Sequence, residues 1–314
     1  GMVAGVILTE PLYQVKVWLK RHPQATLHTL KDTLIAEMKA HAPRLPRLCH
    51  PPKPITQGYL LELALPDIHL GKFAWAEECG SNDDVDIAES RFLAALEDLL
   101  LRTQGYPIER ILFPIGNDLL HTDNLENTTT GGTQMRTDSR HHRTFRRTRQ
   151  MLVHAIERLR GAAPTDVVVV PGNHDRMAAF YMGDALECWF SKCPDVKVDN
   201  SAALRKHYVY GQNLLTLTHG SEEKPADLPA IVASEVPELW GKTRFREAHL
   251  GHLHRETLME THGYKVRWLP ALCSADEWHT MKGFTGNLLQ AQALLWSPQN
   301  GLVGQHFHTL SESP

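Results

Sequence analysis

The stretch VVVVPGNHD, residues 167–175, decides the fold: four valines in a row, then Pro171 and Gly172, then Asn173, His174 and Asp175. A short continuous apolar run reads as a strand buried on both faces, and Pro-Gly ends it. The same grammar occurs twice earlier. YLLELALPDIH (59–69) stops at Asp67, and ILFPIGNDLLH (111–121) stops at Gly116. Helical patterns lie between these runs, in IAESRFLAALEDLLLRT (87–103) and in residues 141–160. Strands alternating with helices predict an α/β architecture, whose ligand sites lie at strand ends, where these polar residues cluster. Later runs, YVYG (208–211), LLTLT (214–218), YKVRWL (264–269) and LLQAQALLW (288–296), predict more strands, with the last two expected to be antiparallel.

Upstream, Leu27, Leu30, Leu34, Ile35 and Met38 recur at helical spacing, which predicts an amphipathic helical extension over the first forty residues. Pro43, Pro46, Pro51, Pro52 and Pro54 then break any helix and place a linker at 42–56. The expected organisation is a helical extension and Pro-rich linker over 1–55 and a catalytic domain over 56–314. Gly1 before Met2 is expected to be an added residue.

With 314 residues, 42% hydrophobic and 22% charged, the chain can bury a large core. A formal charge of -3 gives no global attraction to polyanions, so any such site must be a local patch. Five cysteines, Cys49, Cys79, Cys188, Cys193 and Cys273, form no CxxC pair and leave an odd one, which argues against a disulfide framework or zinc ribbon. No segment reaches the roughly 20 apolar residues needed to span a bilayer. A cytoplasmic protein without a membrane partner is the expectation, and the sequence says nothing of a protein partner.

Singly, the motifs are weak: Asp67 and His69 in PDIHLG read as well as an exposed loop pair. Together with Asp118, Asn173, His219, His252 and His254 they form a set of oxygen and imidazole donors, many beside glycine or at a strand end. DIH, GNDLLH, GNHD, THG and GHLH, in this order over about residues 58–280, resemble the calcineurin-like metallophosphoesterase superfamily. That resemblance implies a four-layer sandwich, two mixed β-sheets facing each other with helices outside, and two divalent metal ions, manganese foremost, with iron or zinc possible. It assigns Asp67, His69 and His254 to one metal, Asn173, His219 and His252 to the other, and Asp118 to both. It also implies a hydroxide held between the metals as the attacking group, with His174 contacting the phosphate or protonating the leaving oxygen and Asp175 orienting His174.

The second motif departs from the common GDxxD. With Asn117 in a glycine-like position, GNDLLH is similar to the GGDLFH form of double-strand-break repair exonucleases, which makes Asp118 the bridge and His121 a second active-site imidazole. Were Asn117 itself the bridge, a neutral amide would sit poorly between two cations.

SRHHRTFRRTRQ (139–150) sets Arg140, Arg143 and Arg147 at helical spacing, with Arg136, Arg146 and Arg149 nearby, as a phosphate-backbone footprint or as an ordinary solvated face. The Thr- and Gly-rich NTTTGGTQ (127–134) before it is expected near the metal mouth, as a loop able to close over substrate. In ADEWHTMKGFTGN (275–287), Trp278 and His279 can stack a base, or Trp278 can be a packed residue with its N–H satisfied. The pairing of GNDLLH, a Thr-rich loop and a DxWH segment is similar to phage- and prophage-type calcineurin-like proteins. The acidic run Asn82, Asp83, Asp84, Asp86 reads as a solvated loop or a cation site. The expected function is a metal-dependent phosphodiesterase, a DNA nuclease or exonuclease. The alternatives are a small-molecule or nucleotide phosphoesterase and, disfavoured because no ligand is missing, a metal-free interaction module.

Overall fold

The computed structural model describes residues 27–48 and 58–310. Six strands build one sheet: β1 (Tyr59–Ala64), β2 (Ile108–Gly116), β3 (Thr165–Val170), β4 (Val196–Asp199), and the C-terminal hairpin β10 (Gln290–Ser297) and β11 (Gly301–Thr309), in the order β11-β10-β1-β2-β3-β4. β1 to β4 are parallel, and the hairpin is antiparallel. A second sheet has the order β5-β6-β7-β9-β8, from β5 (Lys206–Tyr210), β6 (Asn213–Leu217), β7 (Phe245–Leu250), β8 (Thr257–Thr261) and β9 (Tyr264–Trp268). Its three central strands are parallel and its edges antiparallel.

Period-two alternation separates three cores. Leu61, Leu63, Ile111, Phe113, Val167 and Val169 face outward under α3 (Val85–Arg102), α4 (His141–Arg160) and α5 (Arg176–Phe190). The rings of Phe92 and Phe113 lie 6.3 Å apart and tie α3 to β2, each buried ring contributing about 1.5–3 kcal/mol. The intervening residues Leu60, Leu112, Val168 and Val170 meet Leu215 and Leu217 between the sheets. The far face of the second sheet packs Leu214, Ala248 and Val266 against α6 (Leu228–Glu235) and α7 (Pro237–Lys242). The architecture is α/β, two mixed sheets face to face with helices on both outer sides, as expected. Short helices α2 (Ala76–Cys79) and α8 (Glu277–Lys282) lie apart from these layers.

The two strands expected to be antiparallel belong to different sheets: β10 is antiparallel to β1 and β11, whereas β9 is parallel to β7 and antiparallel to β8. The helix α1 (Leu27–His41) packs on α5, where Lys39 pairs with Glu187 at 2.8 Å and Lys192 donates to the Ala40 carbonyl. Leu34 and Met38 remain exposed. Pro43 and Pro46 lie in an irregular segment docked by Arg160, which donates to the Pro46 carbonyl at 2.5 Å. The expectations for residues 1–26, Cys49, Pro51, Pro52 and Pro54 lie outside the described residues. Among the described residues no helix is long and apolar enough to cross a membrane, and Cys79, Cys188, Cys193 and Cys273 are free thiols.

Candidate metal centre

Parallel strands that start at one edge deliver their C-terminal ends to the other. Asp67, Asp118, Asn173, His219 and His252 each lie two or three residues past the end of β1, β2, β3, β6 and β7. The loops after β1 and β2 run side by side, with Asp67 N donating to Asn117 O at 2.9 Å and His69 N to Asp118 O at 3.0 Å. Asp67, His69, Asn117, Asp118, His252 and His254 all adopt left-handed backbone, with φ between 51° and 69°. Non-glycine residues there cost about 1–3 kcal/mol each, and such strain gathers at functional sites. Gly172 and Gly251 let the loops close: a Cβ on Gly172 would collide with Asp118, and one on Gly251 with Asp67 and Asn117.

The donors face one another. His69 Nε2 and His254 Nε2 are 3.2 Å apart, His254 Nε2 lies 3.5 Å from Asp67 Oδ1, and His69 Nε2 lies 3.9 Å from Asp118 Oδ2. On the other side, His219 Nε2 lies 3.1 Å from the same Asp118 Oδ2 and 2.7 Å from Asn173 Oδ1, and the His252 ring stands 5.0 Å from that of His219. Atoms that each sit about 2.0–2.2 Å from one ion are about 3–4 Å from each other, so carboxylate, amide and imidazole donors here fit two divalent cations.

Electrostatics follows burial and neighbours. Burial pushes the Asp118 carboxyl up, yet His219 beside it and the backbone N–H of His174 hold it down at about 2. His69 falls well below the ordinary imidazole value through burial and then through His174 and His254, and His252 falls through burial and His219. Both are held neutral, as ligation requires. His219 and His254 run the other way: burial lowers them, but Asp118 outweighs it at the first and Cys273 with Asp67 at the second. A cation bound there displaces protons.

Three of the four metal-facing imidazoles are fixed through their other nitrogen. His219 Nδ1 lies 2.5 Å from Asn117 Oδ1, His69 Nδ1 lies 3.2 Å from His121 Nδ1, and His254 Nδ1 lies 3.6 Å from Cys273 Sγ. His121, buried at 2% exposure, thus backs His69. His174 Nδ1 is 3.0 Å from the His121 carbonyl, and its Nε2 is 4.0 Å from Asp118 Oδ2. The orienting role read for Asp175 is corrected. Its carboxylate accepts from Leu120 N at 3.0 Å and Gly172 N at 3.2 Å, joining two motif loops, and does not hold His174. Burial and then Asp118 push its pKa up to about 8.

No family model matches the chain, and no curated protein matches it in sequence. Among solved structures it is similar to an archaeal phosphodiesterase, at 10% identity over 80% of this chain and 99% of that one, with a TM-score of 0.37. It is also similar to Vps29 from Entamoeba histolytica complexed with zinc, at 14% identity, 79% and 98% coverage and a TM-score of 0.33. A third is a predicted phosphoesterase from Streptococcus pneumoniae, at 9% identity, 81% and 100% coverage and a TM-score of 0.32.

Around the mouth, His141 Nδ1 lies 3.2 Å from Thr122 Oγ1, which sets the start of α4 beside His121. Arg140 and Arg143 are exposed there. Arg147 is not: it pairs with Glu89 and Asp86 of α3, so the helical spacing overstated the basic face. The Thr- and Gly-rich loop does border the centre, with Thr130 N donating to the Asn173 carbonyl and Thr130 Oγ1 accepting from Arg176 N, so it is pinned at that point. His279 stacks on His254 with ring centroids 5.4 Å apart and is held by Asp276 at 2.7 Å. Trp278 is 52% exposed and so is not a packed residue. The acidic run is structural: Asp84 caps α3 by accepting from Ile87 N, and buried Asp83 pairs with Arg91 and Lys72. Sequence reading missed the tasks of Asn117, which backs His219, and of Cys273, which backs His254. Only Asn117 carried a signal, standing where a glycine would suffice.

Proposed function

We propose that the chain is a phosphodiesterase working with two divalent cations, manganese foremost, and that its substrate is nucleic acid. The Asp118 carboxylate carries this reading. Its Oδ1 is tied to His174 N at 2.8 Å, which leaves Oδ2 facing His69 on one side and His219 on the other, the placement a shared ligand needs. Asp67, His69 and His254 would hold one cation with Asp118, and Asn173, His219 and His252 the other.

Two cations at such a site acidify bound water and neutralise phosphoryl oxygens as charge develops. The protein's part is geometric. Strained loops hold the donors before any ligand arrives, so little reorganisation is left to the reaction. With Nδ1 of His174 committed to the His121 carbonyl, Nε2 is the nitrogen that faces the centre and can give a proton to a leaving oxygen. His121 keeps His69 in the tautomer whose Nε2 faces the cation.

The test is a manganese-supplemented assay of bis-p-nitrophenyl phosphate, p-nitrophenyl phosphate, and linear single- and double-stranded DNA, with bound metal measured by elemental analysis. The diester and DNA are expected to turn over faster than the monoester. No turnover of any ester together with no bound metal overturns the reading.

The ion pairs of Arg147 favour a second reading, a small nucleotide diester, because they leave fewer free cations along α4. Replacing Arg143 by Ala separates the two. For a nucleic-acid substrate, DNA cleavage weakens and the slope of log affinity against log salt falls by about one, with the small diester spared. Arg147→Ala lowers thermal stability instead.

A further inference from the structure

Beside the centre, on the side of His254, lies an open hollow of ≈ 150 Å³. Gly80, Ser81, His254, Cys273, His279 and Phe284 are among the residues that line it. His254 is common to the hollow and the donor cluster, so a phosphorus atom at the donors has this space next to one of its ester substituents.

The lining includes two aromatic rings, His279 with one face covered by His254 and Phe284 open to solvent. The His279 ring lies nearly parallel to His254, at 22°, and is fixed by Asp276, itself buried. Phe284 is 55% exposed and Trp278 52%, with their rings 5.7 Å apart. Apolar rings of this size standing in water beside polar side chains suit a flat, polar-edged ligand better than an aliphatic one. Ser81 and Asn287 bring a hydroxyl and an amide to the same lining, where the edge of such a ligand would sit.

We infer that this hollow is a nucleobase subsite: the base of a nucleoside next to the scissile phosphodiester stacks on Phe284 and His279, with Trp278 at the rim. The inference rests on the phosphodiesterase reading above. It assigns the aromatic segment 278–284 to substrate selection, whatever the length of the strand. Stacking tolerates any base, so the subsite selects for the presence of a base and weakly for its identity.

The experiment compares dithymidine monophosphate with its doubly abasic analogue, in the manganese-loaded full chain, by chromatography of the products. The wild type is expected to show a ratio of kcat/KM, base-containing over abasic, of about 5- to 150-fold, which is one stacked base at about 1–3 kcal/mol. Phe284→Ala and Trp278→Ala, made separately, should bring this ratio toward one. A wild-type ratio near one, with both compounds hydrolysed, overturns the subsite and leaves the phosphodiesterase reading standing. A ratio untouched by both substitutions also overturns it, because the preference then arises elsewhere. Failure to hydrolyse either compound or bis-p-nitrophenyl phosphate overturns the phosphodiesterase reading itself.

Discussion

Two clusters of histidine and carboxylate are buried in this molecule, and they are built on opposite principles. In the sandwich interior, Glu62 of β1 accepts from His249 Nδ1 at 2.6 Å and from Trp296 Nε1 at 3.0 Å, while Glu247 takes His249 Nε2 at 3.3 Å and Arg267 Nε at 2.6 Å. A carboxylate meets an N–H donor at each link, His249, Arg267 or the neutral Trp296 indole, and all five residues lie on regular strands. At the strand ends, imidazole nitrogen faces imidazole nitrogen and six residues sit in left-handed backbone. A network satisfied on relaxed backbone serves the fold. Donors pointed at one another on strained backbone are arranged for something that comes between them.

The largest effect that can break this contrast is expected from Asp118→Asn. It removes the charge shared by the two halves of the strand-end cluster, so bound metal should fall below one per chain and turnover drop to background, by elemental analysis and diester assay. His174→Ala should keep the metal and lower kcat by about 10²–10⁴, the usual worth of a general acid. Full activity in either variant would put the strand-end cluster in the same class as the interior one.

A smaller effect sharpens the boundary of the cluster. Asn117 donates nothing to a cation, yet its Oδ1 fixes His219 from behind. Its left-handed φ of 55° suits glycine, so Asn117→Gly keeps the backbone and removes only the hydrogen bond. Metal affinity, read by competition with a chelator, should weaken about 10- to 100-fold. Unchanged affinity would mean that Asn173 and Asp118 hold His219 unaided.

The same contrast explains what the sequence could show. The strand-end donors were legible because their strain needs glycine neighbours and abrupt turns, which leave GNHD and GHLH as visible punctuation. The interior network left no such trace. In FREAHL, the strand β7, Arg246, Glu247 and His249 break the apolar run that marks a buried strand, and their partners come from other strands or from the turn before. The short β4 and the edge strand β8, none of whose residues is buried, were hidden for related reasons, having little apolar surface to display. Arg147 misled for the converse reason. Its spacing is visible along α4, whereas Glu89 and Asp86 on α3 are not.

The interior cluster makes a prediction of its own, on stability and not on turnover. Burial lowers the His249 pKa, but Glu62 and Glu247 outweigh it and raise the value to about 9, against an ordinary value of 6.5. A raised histidine contributes stability fully below pH 6.5 and loses it as pH rises through 9. At about 1.36 kcal/mol per unit the contribution is on the order of 3 kcal/mol. His249→Gln should therefore lower the unfolding midpoint most below pH 6.5, and the gap to the wild type should narrow toward pH 9, followed by urea unfolding across that range. Arg267 continues to pair with Glu247 in the variant, so Glu62 is the carboxylate left without a cation and carries most of the residual cost. A gap that stays constant from pH 6 to 9.5 would mean that His249 is neutral in the fold and bound to Glu62 and Glu247 by hydrogen bonds alone, leaving Arg267–Glu247 as the ion pair of the cluster.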